Sequence, residues 1–171
     1  MTDDEILSYV LKFEGGFTDN PHDHGGPTNF GITAADYGQF LGQATPASAE
    51  QVRAMTRQEA VEIYRTRYIA RPGFGPIADG NLKLVLVDSG VLFGTGRATR
   101  WLQQALGVAV DGTLGAQTTA ALAACADVAK LTRKVLGLRF CAIADIVAAN
   151  QSQLVFLRGW VNRAAALLDL L

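Results

Sequence analysis

The sequence predicts a mainly α-helical fold that carries one glycine-rich loop near its N-terminus. Three observations lead there. Apolar residues recur at helical rather than alternating spacing through most of the chain. The one long break in that spacing, residues 14–33, contains Gly15, Gly16, Gly25, Gly26 and Gly31. Later breaks are short and carry helix-stop chemistry, such as Gly107 and the Arg71-Pro72-Gly73-Phe74-Gly75 run. With 171 residues and 49% hydrophobic content, the chain can bury a sizeable core, as one compact unit or as a larger lobe with a small helical one.

Ile6, Leu7, Val10 and Leu11 set a helix over residues 3–13, and the same row continues to Glu14. That carboxylate is therefore expected to point inward at the end of a helix, among apolar neighbours, as a general acid requires. Asp23, nine residues on in a polar glycine-flanked loop, is expected to stay ionised. Two carboxyl groups in contrasting surroundings are what glycoside hydrolysis uses: one protonates the leaving oxygen, and the other steers water or stabilises a cationic sugar. The loop glycines would let the backbone turn tightly and approach a ligand closely. A glutamate followed by Gly-Gly also reads as a plain helix stop, and both readings stand at this point. His22 and His24 flank Asp23, but alternate loop residues seldom converge on a metal without distant ligands. Neither a metal nor a cofactor is expected.

A short β-element is expected near residues 30–33, leading into a helix over 32–41. Thr56-Arg57-Gln58-Glu59 forms a capping box that opens a helix with Ala60, Ile63, Tyr64 and Tyr68 on one face. The two tyrosines read either as core or as the wall of a sugar cleft. Residues 81–93 read as a buried helix, although Val85-Leu86-Val87 alone fits a strand. Asp88 in that apolar run needs a hydrogen-bonding partner, as a structural anchor or as part of a site. Ala98, Trp101, Leu102, Ala105 and Leu106 mark the next helix, and a turn-rich link over 108–115 leads to another through residues 120–122. Long helices over 128–149 and 153–170 close the chain. Cys125 and Cys141 have no metal-type spacing and are expected as buried reduced thiols.

A net charge of -1 argues against a nucleic-acid partner. The second half is locally basic, through residues such as Arg97, Lys130, Lys134 and Arg158, and the N-terminus is acidic. The first residues lack the basic-then-apolar pattern of a secretory signal, and residues 154–171 are too polar to span a bilayer. Synthesis in the cytoplasm without stable membrane insertion is expected.

The string E-G-G-F-T-D-N-P-H-D-H-G-G-P-T-N-F-G-I-T, residues 14–33, resembles the signature of glycoside hydrolase family 108. These are bacterial and phage muramidases also described as secretion activator proteins. The resemblance implies a lysozyme-like helical fold with Glu14 as the catalytic residue. The order Glu, eight residues, Asp, four residues, Thr is also similar to phage lysozymes, which implies roles for Asp23 and Thr28. Residues 87–94, V-D-S-G-V-L-F-G, resemble the family's D-x-x-V-N-x-G element, with Leu92 where asparagine is usual. Residues 102–118 resemble the L-Q-x-x-L-G-V-x-x-D-G-x-x-G-x-x-T pattern of peptidoglycan-binding modules, and 156–163 match a closing G-W-x-N-R.

The resemblance implies a catalytic region over residues 1–95 and a helical peptidoglycan-binding-like region over 96–171 packed on it. It implies hydrolysis of the β-1,4 bond between N-acetylmuramic acid and N-acetylglucosamine in peptidoglycan glycan strands. Gly15, Gly16, Gly26, Gly31, Tyr64, Tyr68 and Asp88 are the residues expected to meet substrate. A lytic transglycosylase or a non-catalytic peptidoglycan-binding protein are the alternatives. An enzyme of this kind, made without a signal and acting on the cell wall as a phage endolysin or a secretion-associated muramidase, needs a holin or export machinery to deliver it.

Overall fold

The computed structural model describes residues 1–19 and 26–171, and is mainly α-helical. Packing divides the chain into two compact units, Thr2–Arg67 and Tyr68–Leu171, the latter also holding Met1. This division falls inside a π-helical turn, Thr66–Ala70.

In the first unit, helix α1 (Asp3–Val10) opens on a capping box in which Thr2 and Glu5 satisfy each other's backbone N–H groups. Ile6, Leu7 and Val10 are fully buried, as the spacing predicts, and α1 packs against α4 (Arg57–Arg65). Arg65 on α4 pairs with both Asp3 and Asp4 at the start of α1. The regular helix ends earlier than predicted. After Val10 the chain tightens into three-residue turns, with Lys12 N–H donating to the Tyr9 carbonyl at 3.2 Å and Phe13 N–H to that of Val10 at 3.1 Å. Glu14 thus lies beyond the helix, on the segment leaving it.

Strands β1 (Thr28–Asn29) and β2 (Ile32–Thr33) pair antiparallel, with Asn29 opposite Ile32. Thr18 bridges to Thr28 through two backbone hydrogen bonds of 2.9 Å and adds a third ply. Phe30 and Gly31 make the turn, with φ of 50° and 70°. Positive φ at both central residues is the two-residue turn that matches strand twist. The β-element expected near 30–33 is therefore half of a hairpin. Buried Asn29 anchors it, donating from Nδ2 to the Val52 carbonyl at 3.0 Å. Thr33 then caps helix α2 (Ala34–Phe40), accepting from Asp36 N–H. Helix α3 (Ala49–Ala54) was not among the expected elements; its signal is a second capping box, Ser48 with Gln51, over a short run with Val52 as its one buried residue. The Thr56–Glu59 capping box opens α4 as predicted.

The second unit is built round helix α5 (Gly80–Phe93), in which every residue from Leu82 to Gly90 is buried. A helix buried on all sides is one enclosed by others: α6 (Thr95–Leu106) and α8 (Val128–Ala149) pack on α5, and α9 (Leu154–Leu168) packs on α8. Val85–Val87, compatible with a strand, is helical. Asp88 is fully enclosed, and both its oxygens are bound. Arg139 Nη1 donates to Oδ2 and Arg163 Nε to Oδ1, each at 2.7 Å. Of the two readings of Asp88, this is the geometry of the anchor, tying α5 to α8 and α9.

The peptidoglycan-module motif also acquires a structural meaning. Gln103 on α6 is buried, and its Nε2 lies 2.7 Å from Asp111 Oδ1, 3.0 Å from the Thr113 carbonyl and 3.1 Å from Thr118 Oγ1. Its Oε1 accepts the Gly112 N–H at 2.8 Å. The motif's glutamine, aspartate, glycine and threonine therefore fold the link from α6 into α7 (Ala116–Ala123). Cys125 and Cys141 are both free, and neither is buried as expected: Cys125 is half-buried and Cys141 is exposed on α8. Among the described residues no helix is long and apolar enough to cross a membrane.

Candidate active site

The first unit brings Glu14 onto the tip of the β-hairpin. A Cβ built on Gly31 would lie 2.6 Å from Glu14 Oε2 and 2.9 Å from the Tyr64 hydroxyl. Both oxygens thus converge on one spot above the Gly31 Cα, which only a residue without a side chain leaves open. The turn itself is held from two directions. Phe30 N–H donates to the Gly15 carbonyl at 3.0 Å, next to Glu14 in the chain, and the Tyr64 hydroxyl donates to the Phe30 carbonyl at 2.9 Å. Phe30 is the one described non-glycine residue with positive φ. A bulky residue held in that region marks a position fixed by its surroundings.

Glu14 is half-buried, with one side in the unit and one toward solvent. Tyr64 is buried and reaches the turn from α4. Exposed Phe13 and half-buried Phe17 flank Glu14 in the chain. Phe13 packs edge-on to Tyr9, and the Arg53 guanidinium sits 4.4 Å above the Phe17 ring. Neither phenylalanine was singled out from the sequence. Their position one and three residues from Glu14 was the available signal.

Behind the hairpin, ionic and hydrogen-bonded contacts stiffen the unit. Arg67 binds Asp36 and holds its carboxyl below the usual aspartate range. The Thr56 backbone N–H, through the capping box, lowers Glu59. Tyr37 donates to Glu59 at 3.0 Å; burial and then that carboxylate push the phenol upward.

The remaining expected site residues distribute unevenly. Thr28 lies in β1, half-buried, with its backbone fully used by the Thr18 bridge. Gly26 has φ of 67°, so it too requires glycine. Gly15 and Gly16 do not have positive φ, and among the described residues no atom lies within 4 Å of a Cβ added to either. Asp23, His22, His24 and Gly25 lie outside the described residues. Tyr68, half-buried in the π-helical turn, and Asp88 belong to the second unit.

Comparison with known proteins decides what this arrangement belongs to. The family model described as Glycosyl hydrolase 108 matches residues 7–94, which hold Glu14, the hairpin and Tyr64. The chain belongs to the glycosyl hydrolase 108 family. A second model, described as Predicted Peptidoglycan domain, matches residues 97–165. Among solved structures, that of Brucella abortus SagA is similar, with a TM-score of 0.77 at 29% identity over 96% of this chain and 90% of that one. No curated protein matches. This member of family 108 is a glycoside hydrolase that acts on peptidoglycan.

Proposed function

We propose that this family 108 chain is a muramidase that cleaves the β-1,4 bond between N-acetylmuramic acid and N-acetylglucosamine, with Glu14 as general acid. The observation that carries the reading is the seating of the Glu14 carboxylate over the Gly31 turn, half-open to solvent, within the region matched by the glycosyl hydrolase model. A general acid must hold its proton within reach of the glycosidic oxygen in a fixed geometry. The pinned hairpin supplies that fixity. Tyr64 acts as a positioning residue, because its hydroxyl approaches the same spot as Glu14 while bonding the turn.

Asp23 is the partner carboxylate in this reading, stabilising positive charge on the sugar or orienting water, with Thr28, five residues on, as an accessory. Gly15, Gly16, Gly26 and Gly31 form the substrate-facing edge of the loop. The 97–165 region binds the wall and keeps the enzyme on its polymer. Delivery to the wall, as a phage endolysin through a holin or as a secretion-associated muramidase through a dedicated export route, completes the reading.

Mass spectrometry of the soluble fragments released from purified peptidoglycan tests the bond and the chemistry together. Fragments with reducing muramic ends are expected. Reducing glucosamine ends would assign the other glycosidic bond, and anhydro-muramic ends would make the protein a lytic transglycosylase.

A further inference from the structure

The motif that marks the 97–165 region spends its polar side chains on its own fold: Gln103, Asp111 and Thr118 satisfy one another in the link between α6 and α7. Ligand recognition in this region must come from other residues. A cavity of about 320 Å³ lies between the end of α6, α7 and the start of α8, and all its lining residues fall within 97–165. Leu106, Ala121 and Leu131 supply apolar surface, and Lys130, Lys134 and Asp127 are the charged residues of the lining, two cations against one carboxylate.

We propose that this cavity binds the peptide stem of peptidoglycan through a free carboxylate, with Lys130 and Lys134 as the recognising cations. The proposal rests on the reading of the chain as a peptidoglycan hydrolase and names which part of the polymer this region grips. Peptidoglycan offers sugar rings and short peptides. Among the described residues none that lines the cavity is aromatic, so they offer no flat apolar face on which a sugar ring packs. Its volume is at the small end for ligand sites, enough for the end of a peptide but not for a disaccharide-peptide repeat. The small aliphatic lining suits alanine-sized side chains.

The charges point the same way. Lys130 and Lys134 are four residues apart on α8, where like charges repel, and a bound carboxylate relieves that repulsion. Lys134 is already held, its Nζ donating to the Ala105 carbonyl at 2.8 Å. Asp127 caps α8 by accepting the Lys130 N–H at 2.8 Å, so the first turn that presents Lys130 is fixed.

The test uses the full chain carrying Glu14→Gln, so that nothing is cut, and amide chemical shifts as the readout. The probes are the N-acetylated stem pentapeptide L-Ala-γ-D-Glu-L-Lys-D-Ala-D-Ala, the same peptide with both carboxyls amidated, and N-acetylated chitotetraose. The acid peptide is expected to shift the amides of Ala121, Lys130 and Leu131. Amidation, and separately Lys130→Glu, should each weaken that binding at least tenfold, with Lys134→Gln as the second variant if Lys130→Glu does not fold. Equal binding of the amidated peptide, no effect of either lysine variant, or shifts at these amides from the oligosaccharide alone would overturn the proposal. Fragment release by the unmodified chain is scored separately. Cutting without peptide binding at the cavity refutes this inference alone, and peptide binding without cutting refutes the hydrolase reading alone.

Discussion

Gly31→Ala is the substitution that most sharply separates a placed carboxylate from an incidental one. The new Cβ would sit 2.6 Å from Glu14 Oε2 and 2.9 Å from the Tyr64 hydroxyl. Non-bonded heavy atoms prefer separations nearer ~3.5 Å, so the carboxylate must retreat by roughly 1 Å. A misplacement of about 1 Å at a reacting group costs on the order of a hundredfold in rate. The residue must also keep φ at 70°, which costs an L side chain about 1–2 kcal/mol of stability. The assay is release of soluble fragments from peptidoglycan together with thermal unfolding. Gly137→Ala is the control, since its added Cβ meets nothing within 4 Å on α8 and should raise stability by about 0.5–1 kcal/mol without touching activity. If Gly31→Ala cuts peptidoglycan at the unmodified rate, the carboxylate is not held where the hairpin puts it, and the reasoning fails.

Tyr64→Phe removes the bond to the Phe30 carbonyl, which should lower stability by about 1 kcal/mol and depress kcat more than it changes KM; thermal melts and steady-state kinetics measure the two. Asp88→Ala leaves Arg139 and Arg163 buried around an empty centre and should cost about 3–5 kcal/mol, read by denaturant titration. Acid sensitivity follows from Asp36 and Glu59, whose carboxyls are lowered in the folded chain, the first chiefly by Arg67 and the second by the Thr56 backbone. Their stabilisation is full above the ordinary values of 3.8 and 4.5 and is lost as pH falls through the depressed folded values. Melting temperature should therefore fall on acidification below about pH 4.5, and Asp36→Asn should flatten that slope.

Most helices were legible because their caps and apolar rows are local. Thr56 with Glu59 announced α4, and Gly107, with φ of 75°, ended α6 as its position implied. Helix α3 carried an equally local capping box but only one buried residue, so its periodicity was too faint to register. The limit of α1 was misjudged for a physical reason: the apolar row runs on past Val10, while the backbone tightens into three-residue turns ahead of the Gly15-Gly16 pair. Within the candidate site, Glu14 and Gly31 were visible as residue types. Their contact was not, because it depends on the Phe30-Gly31 turn and on Tyr64 reaching across from a helix more than thirty residues on. Asp88 shows the converse. A charge in an apolar run demanded partners, and which ones, Arg139 and Arg163, only packing decides.

The central claim is that Glu14 donates the proton that breaks the glycan strand. Glu14→Gln keeps the size and hydrogen-bonding reach of the side chain and removes its acidity, so its thermal midpoint should match that of the unmodified chain. Under matched folding, the account predicts that reducing muramic ends released from peptidoglycan fall by about a hundredfold to ten-thousandfold, the scale on which proton transfer from a positioned acid operates. Release at the unmodified rate by a folded Glu14→Gln chain would contradict it.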